Sequence, residues 1–203
     1  MAAPEFPAHL FSRESVHGYG KAHHGNRARS QASLDTALEI GAIDAGFDSV
    51  REAADAANLV VVATAVSTIP DLAIEAASAA AEGAVITDVG SVKARISELV
   101  RPRMPAGRTF IGSHPLAGSE KRGPANAHDD LLEGANCLIT PPDEATEEER
   151  AAAEKLSAFW QALGMNVFEV NAYEHDAILA SVSHLPHILA AALIASIGDR
   201  ALP

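Results

Sequence analysis

The chain has 203 residues, of which 48% are hydrophobic and 21% charged, and its formal net charge is −12. That composition suits a globular protein with one good-sized core or two small ones, and the acidic balance speaks against a general nucleic-acid or anionic-membrane binder. The single cysteine, Cys137, excludes a disulfide framework and fits a reducing cytoplasm.

The N-terminal stretch shows no signal-peptide core, and no apolar run in the sequence approaches the ~20 residues of a bilayer span. Residues 1–30 carry no periodicity, and the Gly- and His-rich part from His17 to Ser30 reads as loop or disorder. Regular structure is predicted from Ser33, where a short helix runs to Ile40 and stops at Gly41. A second helix spans Val50 to Ala57. Leu59 to Ala63 is a continuous apolar run, as expected of a strand buried on both faces. Ile69 to Glu82 reads as helix ending at Gly83, and Ala84 to Thr87 as another buried strand. Val92, Ile96, Leu99 and Val100 make a helical stripe.

Thr109 to Ile111 and Asn136 to Thr140 read as strands, with Cys137 a buried thiol in the second. Thr146 and Glu149 have capping-box spacing at the start of a helix that runs to Leu163, and Gly164 ends it. Asn166 to Val170 is a strand. Tyr173 to Ile197 is helical and very apolar, and its run Ile188 to Ala195, apolar nearly all round, needs cover on most faces. The expected fold class is α/β with a mostly parallel sheet.

Three segments are hard to explain as scaffold. Thr87-Asp88-Val89-Gly90-Ser91-Val92-Lys93 ends a buried strand and begins a helix, where open α/β sheets bind ligands, and Ser91 is placed to cap that helix. Gly112-Ser113-His114-Pro115-Leu116-Ala117-Gly118-Ser119-Glu120 reads as a rigid loop without helical or strand pattern, able to hold an imidazole in one orientation for general-base work. The third combines His175-Asp176 with Ser183-His184-Leu185-Pro186-His187. There Ser183 can cap a helix with Pro186 in its first turn, and His184 and His187 share one face. The pair suits an anionic substrate better than a metal, because no third ligand stands at clear spacing.

With Leu138-Ile139-Thr140-Pro141, these strings resemble the prephenate/arogenate dehydrogenases of tyrosine biosynthesis, in order and approximate spacing, from about Ala37 to Ile197. The resemblance implies a Rossmann-like dinucleotide-binding domain, incomplete over residues 31–171 after an irregular segment 1–30, followed by the first helix or helices of a truncated helical substrate and dimerisation domain over 172–203. It implies NAD- or NADP-dependent oxidative decarboxylation of prephenate or arogenate, with neither nucleic acid nor membrane as partner and a homodimer as the intact form. It implies that His114 is the base or acceptor for the substrate hydroxyl and that Ser91 orients the hydroxyl or the imidazole. His184 and His187 would be substrate-side groups, with Asp176 a supporting partner there. Thr64, Asp88, Ser91 and Gly20 would lie at the cofactor.

The sequence departs from the family pattern in three ways. The family's Gly-x-Gly-x-x-Gly string is absent. Gly18-Tyr19-Gly20 instead matches the end of the second strand, where Lys21, Arg27 and Arg29 lean toward NADP. Ala65 stands where the family commonly has proline, which predicts a small backbone change. The C-terminal domain that normally supplies a substrate-binding arginine is expected to be missing. Three readings follow: an active dehydrogenase, a catalytically inactive fragment of one, and a small acidic binding module.

Overall fold

The computed structural model describes residues 25–26, 31–118 and 130–197. In chain order its elements are β1 (Gly25–Asn26), α1 (Gln31–Glu39), β2 (Ala45–Gly46), α2 (Val50–Ala54), β3 (Leu59–Val62), α3 (Ile69–Ala77), β4 (Val85–Asp88) and α4 (Ala94–Val100). There follow β5 (Thr109–Phe110), β6 (Gly112–Pro115), β7 (Asn136–Thr140), α5 (Glu147–Ala162), β8 (Asn166–Glu169), α6 (Ala172–Leu179) and α7 (Leu185–Ile197). A wide π-type turn, Ala180–His184, joins the last two.

The apolar runs made the strands for the expected reason. β3, β4 and β5 are parallel neighbours in that order. Their helical crossovers place α3 and α4 on one face, where Ile69, Ala73, Ile86, Ile96, Val100 and Phe110 form a buried cluster. On the other face Val85, Val89, Ile111, Ile139, Leu156 and Trp160 pack together, the last two from α5. Adjacent residues of β4 thus feed opposite layers, as the period-2 alternation of a strand requires. A smaller cluster of Leu34, Ala37 and Ile43 holds α1.

The sheet is not parallel throughout. The Ile111 amide still donates to the Ile86 carbonyl at 3.1 Å, continuing the parallel ladder, but β6 then pairs antiparallel with β7, which pairs parallel with β8. The stretch from Gly112 to Pro115, read from sequence as a loop, is therefore a fully buried strand. Its glycine and proline hid the pattern, since both are depleted in strands. Gly112 is required by crowding: a Cβ there would lie 2.7 Å from Thr140 Oγ1.

Other boundaries differ by a few residues. α3 ends at Ala77 rather than Glu82, and Gly83 follows with φ +77. Inside the stretch expected to be irregular, Gly25–Asn26 bridges in parallel to Ala45–Gly46. Ala65 has φ −57, a value that proline also adopts. Thr146 forms the full capping box with Glu149.

The C-terminal region corrects two expectations. Ser183 caps no helix, because the chain runs helically from Ala172 through the π-type turn into α7. Pro186 explains the wide turn: its nitrogen has no proton to donate, and its ring would crowd a regular helix four residues back. The helix Ala172–Ser196 is also long and apolar enough, by length and composition, to cross a membrane, contrary to the expectation from apolar runs alone. Most of it is exposed in the chain, Ile188 by 64% and Ile194 by 72%. Its first turns, by contrast, are bound to the sheet domain: the Tyr173 hydroxyl donates to Glu98 Oε1 at 2.8 Å.

Candidate active site

The carboxyl ends of β3 and β4 form the edge at which an open α/β sheet binds ligands. Beyond β3, half-buried Thr64 accepts a hydrogen bond from the Thr68 hydroxyl at 3.0 Å. Beyond β4 the chain turns through Val89, Gly90 and half-buried Ser91 into α4.

That turn is built around a buried ion pair. Asp88 and Lys93 are both fully buried, and the Lys93 ammonium donates to Asp88 Oδ2 and, at 2.8 Å, to the Ser113 carbonyl. The Gly90 amide donates to the same carboxylate oxygen at 2.9 Å. A Cβ on Gly90 would sit 2.9 Å from that oxygen and from Ile69 Cδ1, so a side chain there would have to displace them. Ser113 closes the other side: its hydroxyl donates to the Asp88 carbonyl at 2.6 Å and stands 2.9 Å from the Thr87 hydroxyl. Burial pushes the Asp88 carboxyl up and the Lys93 ammonium down, and the attraction between the two opposes both shifts. Asp88 was expected at the cofactor. It is fully buried, and its carboxylate shapes the turn through Gly90 and Lys93.

Ser91 was expected to cap α4, and it does not. The cap comes from a distant part of the sequence: Asp176 on α6 accepts from the Lys93 amide (2.7 Å) and the Ala94 amide (3.0 Å). A carboxylate suits this place, since the first amides of a helix lack partners and carry the positive end of its dipole. Asp176 is thereby committed to the fold, although part of it remains exposed.

The same carboxylate begins a chain of imidazoles. Asp176 Oδ1 lies 2.8 Å from His175 Nδ1, and His175 Nε2 lies 2.9 Å from His114 Nδ1. His175 is fully buried and His114 nearly so. Burial, aided by the nearby Lys93 charge, holds the His114 imidazole down to about 3. Burial also lowers His175, against the pull of Asp176. His114 is therefore neutral at physiological pH and able to accept a proton or a hydrogen bond. Its direct partner among the described residues is His175, with no direct hydrogen bond to Ser91.

His184 is half-buried and close enough for its charge to disfavour protonation of His114. His187 is exposed, and its ring lies 3.0 Å from the Ser183 carbonyl. The structure thus brings His114, His175, Asp176, His184 and Lys93 together, while His187 stands further along the helix. Gly20, Ser119 and Glu120 lie outside the described residues. No group of metal-ligating side chains occurs among the described residues. Cys137, buried in β7 and pushed up to about 12 by that burial, is no nucleophile.

Sequence reasoning missed Lys93 and Ser113. A lysine at the start of a helix reads as solvated, and a serine in a Gly/Pro-rich string reads as turn. Only the five-residue spacing of Asp88 and Lys93 across a strand–helix turn hinted at a pair.

Residues 17–169 match the nucleotide-binding domain of prephenate dehydrogenase, and residues 171–201 match its dimerisation domain. The prephenate dehydrogenase of Bacillus subtilis (strain 168) is 35% identical over 159 residues, which cover 78% of this chain and 42% of that protein. Among solved structures, prephenate dehydrogenase from Aquifex aeolicus, in complex with hydroxyphenyl propionate and NAD+, is 28% identical with a TM-score of 0.83, covering 97% of this chain and 66% of that one. Synechocystis arogenate dehydrogenase is 27% identical with a TM-score of 0.72, covering 86% and 60% respectively. The chain spans about half or less of the length of the Bacillus relative. The matched strands, the buried turn at Asp88 and the imidazole on β6 all fall inside the nucleotide-binding match, and the chain belongs to the prephenate dehydrogenase family.

Proposed function

We propose that the chain carries the catalytic centre of a prephenate or arogenate dehydrogenase, which with NAD or NADP decarboxylates its substrate oxidatively to 4-hydroxyphenylpyruvate or tyrosine. The observation that supports this most is a neutral, buried imidazole, His114, one strand from the carboxyl edge of a parallel sheet. That edge fits a dinucleotide. Thr64 and the Val89–Ser91 turn would hold its nicotinamide end, and the absence of a side chain on Gly90 keeps the turn close against Asp88. When bound, the cofactor supplies the hydride acceptor.

The protein's own residues then have limited tasks. His114 accepts the proton of the substrate hydroxyl as the carbon bearing it is oxidised. Ser91, at the same edge, orients that hydroxyl. His184 and His187 face the substrate from the helical segment, where imidazoles suit a carboxylate. Loss of the ring carboxylate as CO₂ makes the ring aromatic and supplies the driving force. Asp176 belongs here as a support rather than a substrate ligand, given its hydrogen bonds to α4. The helical segment from residue 172 onward is the dimerisation unit, and a homodimer is the working form. A cytoplasmic location agrees with the single buried thiol.

The sequence has no Gly-x-Gly-x-x-Gly string. This favours a second reading, in which these 203 residues alone are catalytically inactive because the pyrophosphate lacks its usual backbone donors. Fluorescence titration with NADH and NADPH, followed by assays with prephenate and arogenate, separates the two. Turnover on either substrate that falls by ~10²–10⁴-fold in His114→Asn supports the dehydrogenase. Absence of both binding and turnover supports the second reading.

A further inference from the structure

Three groups in one hydrogen-bonded line decide which nitrogen of His114 carries the proton. At neutral pH Asp176 is surrounded by donors: the Lys93 and Ala94 amides and His175 Nδ1. A carboxylate so placed only accepts, so His175 Nδ1 must hold a proton. A neutral His175 then has a bare Nε2. The 2.9 Å contact from that atom to His114 Nδ1 needs one proton between the two nitrogens, and only His114 can provide it. His114 Nδ1 is therefore protonated, and its Nε2 keeps the lone pair.

We propose that His175, backed by Asp176, is a positioning residue that fixes His114 as the Nδ1–H tautomer and reserves Nε2 as the proton acceptor. The inference rests on the dehydrogenase reading for its purpose, but the tautomer itself is a property of the chain without ligand. His175 touches the catalytic imidazole and not the reacting atoms. It is fully buried, as a group that orients rather than binds should be. Asp176 joins two tasks in one carboxylate: Oδ1 serves both His175 and the Lys93 amide, and Oδ2 serves Ala94. The start of α4, which follows the Asp88 turn, and the tautomer of the base are thereby set by a single side chain from α6.

An asparagine at 176 cannot reproduce this. With its oxygen toward Lys93 and His175, its NH₂ meets the Ala94 amide donor. With its NH₂ toward His175, it forces the proton of that ring onto Nε2 and that of His114 onto its own Nε2, removing the acceptor. The hydrogen-bond pattern of Asp176→Asn is thus wrong even where the shape is kept.

The test is the ring-nitrogen spectrum of the ¹⁵N-histidine-labelled chain at pH 7, with His114 assigned by loss of its signals in His114→Gln. Expected are a protonated Nδ1 and an unprotonated Nε2 on both His114 and His175. In Asp176→Asn and in His175→Phe, the His114 signals should move toward the other tautomer or to averaged positions, while the backbone amide spectrum stays native. A wild-type His114 protonated at Nε2 overturns the proposal, whether or not either variant folds. So does an unchanged His114 tautomer in a folded His175→Phe. Turnover gives a second readout: Asp176→Asn should lower kcat on the order of 10²-fold or more and leave KM nearly unchanged. Because the spectrum needs no turnover, an inactive chain would count against the dehydrogenase reading and leave the tautomer assignment to be decided by the spectrum.

Discussion

Burying an imidazole penalises its charged form, and His114 shows the consequence for stability. Its ordinary value is near 6.5, and in the folded chain burial and Lys93 hold it at about 3. The folded state thus resists a proton that the unfolded chain accepts. Stability from this group is whole above pH 6.5 and drains as pH falls toward 3. Between those limits the urea midpoint of wild type should fall more steeply than that of His114→Gln; equal slopes would refute the shift. At Gly90 the argument is steric. Alanine there would press a methyl to 2.9 Å from both Asp88 Oδ2 and Ile69 Cδ1, in a turn held by a buried ion pair. Overpacking of this kind costs ~1–3 kcal/mol, so Gly90→Ala should lower the thermal midpoint and weaken dinucleotide binding together. A variant as stable as wild type would show that the turn is looser than described. His114 itself was legible in the sequence, because its Gly/Pro frame matched a family string. Its partner His175 was legible only as part of a dipeptide. Nothing in a linear string reports that two histidines 61 positions apart share a hydrogen bond.

Where the physics is local, elements follow from the sequence. The capping box of α5 satisfies two amides through Thr146 and Glu149, both visible at their spacing. Thr146→Ala should cost ~1 kcal/mol, read as a lower urea midpoint without a change of slope; no loss would mean that tertiary packing alone starts this helix. The runs from Leu59 and from Ala84 became strands β3 and β4 because both faces of the sheet are covered by helices. Elements set by distant partners were illegible. α4 begins at Ala94 and not after Ser91 because its cap arrives from Asp176, 83 positions from Lys93. β6 is a strand because β7 pairs with it, despite its glycine and proline. The same dependence yields a prediction. Asp176→Ala removes a carboxylate from two helix amides and from His175, and should destabilise the fold by ~1–3 kcal/mol, more than Thr146→Ala. An equal or smaller effect would show that α4 needs no tertiary cap.

At the scale of the molecule, the unanswered demand is the surface of α7. Leu185, Ile188, Leu189, Leu193 and Ile194 on α7, and Val182 in the turn before it, are all more than half exposed, on a continuous helix whose first turns, in α6, are pinned to α4 by Asp176 and Tyr173. A bilayer is a poor home for it. Glu174, His175 and Asp176 lie within the same continuous helix, and Asp176 is tied to backbone amides of the sheet domain. A second copy is a better cover, in keeping with the dimerisation-domain match of residues 171–201. Fully burying a leucine or isoleucine is worth ~1.5–3 kcal/mol. A handful of them can exceed the ~4–15 kcal/mol that association costs in lost freedom. Ile188 and Leu193 are five positions apart on α7, exposed by 64% and 62%, and neither belongs to the imidazole line. The double variant Ile188→Glu, Leu193→Glu should therefore convert a wild-type dimer into a monomer by light scattering, with the His114 ring spectrum unchanged. Vesicle flotation with neutral lipid should leave wild type in the soluble fraction. Association that survives both charges would place the interface elsewhere. Flotation of wild type that the charges abolish would mean that this helix seeks lipid rather than its own copy.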